Sequence, residues 1–143
     1  MAETILVIAE QREGQLNRVS WETLVAGQAI AADTGWTLEA AVVGDGIGAI
    51  ATEIAGKKVA KVYDVESPAL KPYTPDAFSA GLKQLLASKQ PRLVLMPHTY
   101  QVRDFVPKLA TSMGRAVVSD CTGYRKDGDK LLFTRQMFQG KFA

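Results

Sequence analysis

The first stretch whose residue types suggest chemistry is glycine-rich and runs from residue 44 to 49, Gly-Asp-Gly-Ile-Gly-Ala. It fits the G-x-G-x-x-A pattern between a predicted strand and a predicted helix, and Asp64 ends the next predicted strand. Such glycines let backbone approach a pyrophosphate at a helix N-terminus, while the acid binds a ribose hydroxyl. However, the turn follows the second predicted strand instead of the first, and Asp45 places negative charge where phosphate would lie. We therefore favour a structural turn, with an NAD-binding site as the alternative.

His98 lies just after an apolar strand, at the end of the sheet where α/β folds hold their ligands, so it could act as a general base. The sequence contains no G-x-S-x-G or similar nucleophile motif to accompany it. With one histidine and one cysteine, Cys121, a His/Cys metal site is also disfavoured. We predict a loop histidine without a catalytic role, no catalytic residue in this chain and no metal.

Polar residues also end the next predicted strand, at Ser119 and Asp120, and should lie near the predicted loop 99–104. Asp120 is better suited to anchoring backbone N–H groups of a loop than to acting as an acid. Three basic residues could gather near this edge and bind a carboxylate or phosphate: Arg103, Arg135 and Lys141.

The elements that would position these residues alternate between strands and helices. Unbroken apolar runs predict buried parallel strands, of which the first and the fourth are expected to be central. The predicted strands span 4–9, 38–43, 59–65, 93–96 and 116–118, and a hairpin follows within 123–138, joined to the edge of the sheet.

Capping residues and apolar spacing predict the helices. Ser20 is expected to cap the first helix, whose apolar stripe ends near Gly35 and comprises Trp21, Leu24, Val25, Ala29 and Ala32. A short helix should close at Gly56, and a longer one should span about 76–88. Asp104 is expected to cap the last helix, with Pro107 as its third residue.

This alternation predicts an α/β fold, a three-layer α/β/α sandwich with a mostly parallel, nucleotide-fold-like sheet and a C-terminal antiparallel hairpin. Residues 1–143 are expected to form one domain. The stop after Gln139–Ala143, without a cap or a polar tail, suggests a fragment of a longer chain.

Composition narrows the classes of protein. A net charge of +2 with scattered basic residues argues against nucleic acid as a partner. No apolar run approaches the roughly 20 residues that span a bilayer, and the N-terminus does not resemble a signal peptide. We expect a soluble, cytoplasmic protein.

Several groups of residues together resemble a known family. They are Ile5–Glu10, Ser20 with Glu22–Leu24, Gly56, Lys61-Val62, Thr99, Arg103-Asp104, Pro107, Leu109-Ala110, Gly114, Ser119-Asp120, Arg135 and Gly140-Lys141. In order and spacing they resemble the N-terminal domain of the electron transfer flavoprotein alpha subunit.

The resemblance implies an electron carrier in a heterodimer with a beta subunit, receiving electrons from dehydrogenases and passing them to a quinone reductase or similar acceptor. It implies FAD mainly on a C-terminal domain that this chain lacks, and AMP on the beta subunit, so no cofactor is expected on this chain alone. The interface positions that it implies are Thr99, Arg103, Asp104, Ser119, Asp120, Arg135, Gly140 and Lys141. A nucleotide-binding module resembling the universal stress proteins remains a second alternative.

Overall fold

The computed structural model describes residues 3–12, 14–70, 73–97, 99–115, 117, 121–127 and 130–135. In chain order, the elements are β1 (Thr4–Ala9), β2 (Gln11–Arg12), β3 (Gln15–Leu16), α1 (Arg18–Thr34), β4 (Thr37–Gly44), α2 (Gly48–Ala55), β5 (Lys61–Glu66), a 3-10 turn (Pro68–Leu70), α3 (Pro75–Lys89), β6 (Leu93–Leu95), α4 (Tyr100–Ser112), β7 (Cys121–Asp127) and β8 (Lys130–Arg135).

The main sheet is parallel, with strand order β5-β4-β1-β6. β1 is almost wholly buried because it has a neighbour on each edge and a layer of helices on each face. Helices α1 and α2 pack with the core on one face, and α3 and α4 pack with the core on the other. The predicted α/β/α sandwich and the central position of β1 are therefore confirmed.

β6 is the outermost strand of this sheet within the described residues, although we expected it to be central. Its residues are only half-buried. Of the neighbour predicted over 116–118, only Val117 is described, and it lies outside any strand.

Helix α1 begins earlier than predicted. Asn17, not Ser20, is the N-cap, since its side-chain oxygen accepts a hydrogen bond from the Ser20 backbone N–H at 2.8 Å. The predicted apolar stripe is also partly wrong: Val25 is 62% exposed, Ala29 and Ala32 are exposed too, and the buried positions include Gly27. A Cβ on Gly27 would lie only 2.8 Å from the Val7 side chain, so the missing side chain lets α1 approach the sheet.

Helix α4 also begins earlier than predicted. Thr99 is its N-cap, with its hydroxyl oxygen accepting from the Val102 N–H at 3.1 Å. Asp104 is therefore not the cap, and Pro107 lies inside the helix instead of in its first turn. The predicted loop 99–104 is consequently a helical turn over residues 100–104, which fixes its side chains to one rigid element.

The hairpin β7–β8 is confirmed, but its placement differs from the prediction. In the described residues its two strands pair only with each other and form a separate sheet. The Tyr124 hydroxyl donates to the Asp33 carboxylate at 2.6 Å, and Lys126 Nζ donates to the Asp33 carbonyl oxygen at 3.2 Å. Leu131 and Phe133 pack against the core on the α1 and α2 side, so the hairpin adds to that helical layer.

Candidate functional site

The carboxyl ends of the parallel strands form the edge at which folds of this class hold ligands. Strand order reverses between β1 and β6, because the chain leaves β1 toward β4 on one side and β6 lies on the other. Glu10 follows β1, and Pro97 and Thr99 follow β6. Glu10 is only 7% exposed, which makes it the one charged residue in the described part of the chain that is classed as buried.

The Glu10 carboxylate accepts hydrogen bonds from both sides of the crevice. Its Oε1 accepts from the Thr99 hydroxyl at 2.7 Å, and its Oε2 accepts from the side-chain amide of Asn17. Its backbone N–H donates to the Ser20 hydroxyl at 2.8 Å, and that hydroxyl donates to the Glu10 carbonyl oxygen at 3.0 Å. Both carboxylate oxygens are therefore satisfied by uncharged donors, as a buried charge requires.

A tyrosine holds the first turns of α4 from the opposite side. The Tyr73 hydroxyl donates to Oδ2 of Asp104 at 2.8 Å and lies 3.2 Å from the carbonyl oxygen of Gln101. Burial raises the pKa of Tyr73 well above its ordinary value, and the hydrogen bond to the Asp104 carboxylate raises it further. The start of α4 is thus fixed by Glu10 on one side and Tyr73 on the other.

Tyr100 and Arg103 project outward from this fixed turn. Tyr100 is 86% exposed, and the Arg103 guanidinium lies 5.8 Å from the centre of its ring. Aromatic and arginine side chains are enriched at the energetic centres of protein interfaces. Tyr100 and Arg103 therefore form an exposed aromatic and cationic pair on a fixed helical turn, which is suited to contact with another protein.

The glycine turn at 44–49 is closed by neighbouring side chains. The Gln11 amide donates to the Val43 carbonyl oxygen at 3.2 Å and covers Gly44 so closely that a Cβ there would overlap it. The Ile47 N–H, at the start of α2, donates to Oε1 of Glu66 at 3.2 Å. The acid at this turn is thus Glu66 and not Asp64, and it occupies a donor that a phosphate would need.

Asp64 itself is exposed within β5 instead of ending that strand. Neighbouring protein atoms still remove some water from its carboxyl group, which raises the pKa of Asp64, and the negative charge of Glu66 raises it further. Gly46 has φ = 66°, a backbone conformation that strongly favours glycine, so this position of the turn depends on the missing side chain.

The predicted interface residues are brought together only in part. Thr99 and Asp104 are engaged with Glu10 and Tyr73, while Arg103 is exposed. Arg135 ends β8. Ser119, Asp120, Gly140 and Lys141 lie outside the described residues, as does His98, so its assignment as a loop histidine also stays a prediction. The interface roles of the predicted residues remain predictions.

Sequence reasoning missed four residues of this edge: Glu10, Asn17, Tyr73 and Tyr100. For Glu10 a usable signal exists, since it is an acid directly after an unbroken apolar strand, the position that drew attention to His98. For Asn17 and Tyr73 the partners are distant in sequence, so no local pattern points to them. Among the described residues, no group of three or more His, Cys, Asp or Glu could hold a metal ion.

Comparison with known proteins gives the family. A family model described as "Electron transfer flavoprotein domain" matches residues 5–143. The chain belongs to the electron transfer flavoprotein domain family.

Its relatives include the electron transfer flavoprotein subunit alpha of Bacillus subtilis, 30% identical over 99% of this chain and 43% of the relative. The acryloyl-CoA reductase electron transfer subunit beta of Anaerotignum propionicum is 32% identical over 88% of this chain and 34% of the relative. Protein FixB of Clostridium saccharobutylicum is 32% identical over 95% of this chain and 41% of the relative. The chain thus spans less than half the length of these relatives. The names of two of them describe electron transfer.

Electron transfer flavoproteins contain a flavin, so the two crevices of this domain can be tested for their fit to one. A flavin dinucleotide needs an extended crevice with several free backbone donors for its pyrophosphate. Glu10 fills the crevice between β1 and β6, and Gln11 and Glu66 close the glycine turn. As far as the described residues define them, these contacts leave neither crevice open to a flavin pyrophosphate. No helix in the described ranges has the length and apolarity needed to cross a membrane.

Proposed function

We propose that this chain is the N-terminal scaffold domain of an electron transfer flavoprotein alpha subunit. The observation that carries the proposal is the family match over residues 5–143, together with alpha-subunit relatives that extend well beyond the matched part. In this proposal FAD is held mainly by a following domain, and the protein works in the cytoplasm. The closed crevices at the carboxyl edge favour this scaffold role over an NAD-binding or stress-protein-like module.

The assembled protein would be a heterodimer with a beta subunit that carries AMP. Electrons would pass from dehydrogenases to the FAD and then to a quinone reductase or similar acceptor. The role of this domain would be assembly. It would position the beta subunit and the flavin domain relative to each other without contributing a catalytic residue.

We place the contact with the beta subunit at the outward side of the first turns of α4. Tyr100 offers a large exposed ring, and Arg103 restricts that ring by lying against it. Because Thr99 and Asp104 are already held by Glu10 and Tyr73, the backbone of this turn has little freedom left to lose on binding. Arg103 and Asp104 are positions that the family resemblance also implies.

Coexpression of the chain with a tagged electron transfer flavoprotein beta subunit tests this placement. We expect Tyr100→Ala and Arg103→Glu each to lower the affinity about tenfold or more, because anchors of this kind dominate interface energies. Val25→Ala and Lys83→Glu make matched changes at exposed positions on α1 and α3 and should assemble normally.

Circular dichroism of each variant alone should remain that of the folded domain. Failure of the unaltered chain to capture the beta subunit would contradict assembly through this domain. Capture that is unaffected by both α4 variants would place the contact on another surface.

A further inference from the structure

The inference concerns the crevice between β1 and β6, where α/β folds with this reversal of strand order bind their ligands. In most such folds, an anionic part of the ligand lies near helix N-termini at this edge. Here two helices begin beside the crevice, α1 after Asn17 and α4 after Thr99. Both N-cap side chains donate to the same carboxylate, that of Glu10.

Each donor is held in place by its own capping bond. The Asn17 side-chain oxygen accepts from the Ser20 N–H at 2.8 Å, which turns its amide NH2 toward Glu10. The Thr99 hydroxyl accepts from the Val102 N–H at 3.1 Å, which leaves its hydrogen for Glu10. The donors are thus oriented by the helices, and they meet at one buried anion.

We propose that the Glu10 carboxylate is a built-in ligand of this crevice. It occupies the anion position between two helix N-termini, joins the β1 side of the crevice to the β6 side, and excludes the phosphate of a nucleotide. The proposal is independent of the assembly role described above, because it concerns which ligand the crevice itself can accept.

The geometry distinguishes a built-in anion from a side chain that only fills space. Removing the carboxylate while keeping both N-caps would leave the Asn17 amide and the Thr99 hydroxyl oriented toward an opening of carboxylate size. A small carboxylate from solution should then bind there. Glutamine fills the same space, but one end of its amide is an NH2 group that cannot accept a hydrogen bond. Asn17 cannot reverse its own amide to suit that group without losing its bond to Ser20. Glu10→Gln therefore cannot accept from both donors.

The test measures the melting temperature of the purified chain in sodium formate and in sodium chloride at equal ionic strength. We expect Glu10→Ala to melt below the unaltered chain and to regain several degrees in formate, with a saturating dependence on formate concentration. The unaltered chain and Glu10→Gln should respond equally to the two salts. An equal response of Glu10→Ala to both salts would overturn the proposal.

Two further measurements keep the proposal testable if Glu10→Ala fails to fold. Thr99→Val removes one donor, and its effect on urea unfolding should be non-additive with that of Glu10→Gln, because both changes break the same hydrogen bond. Additive effects would count against a shared anion site. In addition, AMP and inorganic phosphate should leave the melting temperature of the unaltered chain unchanged relative to sodium chloride of equal ionic strength. Saturating stabilisation by either would show that Glu10 does not exclude phosphate.

Discussion

At the residue scale, Tyr73 connects the segment after β5 to the start of α4. Its hydroxyl donates to the Asp104 carboxylate, and the bond needs the protonated phenol. Burial and this bond together raise the pKa of Tyr73 above its value in the unfolded chain. The group therefore contributes stability that is fully present below the unfolded pKa and is lost as the pH rises toward the folded pKa.

We expect alkaline pH to destabilise the unaltered chain more than Tyr73→Phe, which has no phenol to ionise. Urea unfolding at about pH 9 and about pH 11 would measure the difference, because the ordinary tyrosine pKa of about 10 lies between them. Tyr63 and Tyr124 also have raised pKa values but are common to both proteins, so their effects cancel. An equal loss of stability in the two proteins would contradict the role given to Tyr73.

At the element scale, the approach of α1 to the sheet depends on Gly27. A Cβ there would lie 2.8 Å from Cγ2 of Val7 and 3.0 Å from Cδ1 of Leu38. Gly27→Val should therefore lower the free energy of unfolding by about 2 kcal/mol or more, as overfilled cores do. Ala26→Val places the same side chain at the exposed neighbouring position and should cost only about 0.5 kcal/mol. Equal effects in chemical denaturation would show that α1 can move away from the sheet without cost.

The hairpin β7–β8 is held against α1 in part by the hydrogen bond of the Tyr124 hydroxyl. Tyr124 bonds to Asp33 near the C-terminal end of α1, and this bond is the first cause of the raised pKa of Tyr124. We expect Tyr124→Phe to speed amide hydrogen exchange within 121–135 while leaving exchange in β1 and β4 unchanged. Faster exchange throughout the chain would mean instead that the hairpin unfolds only together with the main core.

The sequence predicted strands and helices correctly where neighbouring residues determine them. It failed where a side chain bonds to a residue that is distant in the sequence. The buried strand over residues 4–9 and the short helix that closes at Gly56 were predicted correctly, since strand burial and helical spacing depend on neighbouring residues. Ser20 and Asp104 were wrongly predicted as caps because serine and aspartate side chains also form hydrogen bonds at positions within a helix. Ser20 instead bonds to Glu10, and Asp104 bonds to Tyr73.

The candidate site was less predictable than the fold for the same reason. Thr99 was singled out from the sequence, but as an interface residue, because its bond to Glu10 spans 89 residues. Tyr100 is exposed because α4 begins at this residue. Placing the cap at Asp104 left Tyr100 in a predicted loop, so its exposed position on the helix was not predicted.

At the scale of the whole molecule, the two closed crevices predict that the chain alone holds no flavin. Expressed by itself it should be colourless, and it should remain so after incubation with excess FAD and gel filtration, because Glu10 occupies the crevice between β1 and β6 and the side chains of Gln11 and Glu66 close the glycine turn. Absorbance in the flavin band, divided by protein concentration, is the measurement. Flavin retained at one equivalent would place the redox site in this domain.

The strand order also determines when the sheet can be completed during synthesis. β1 pairs with β4 as soon as residues 37–44 are available, but its other edge pairs with Leu93–Leu95 and remains open until those residues leave the ribosome. Until then Leu6 and Ile8 lie on a strand with free backbone groups, which is a template for pairing with other chains. Aggregation of the nascent chain should therefore depend on how quickly translation proceeds from β5 to β6. Slow codons between residues 66 and 93 should lower the soluble yield, although they leave the mature protein unchanged.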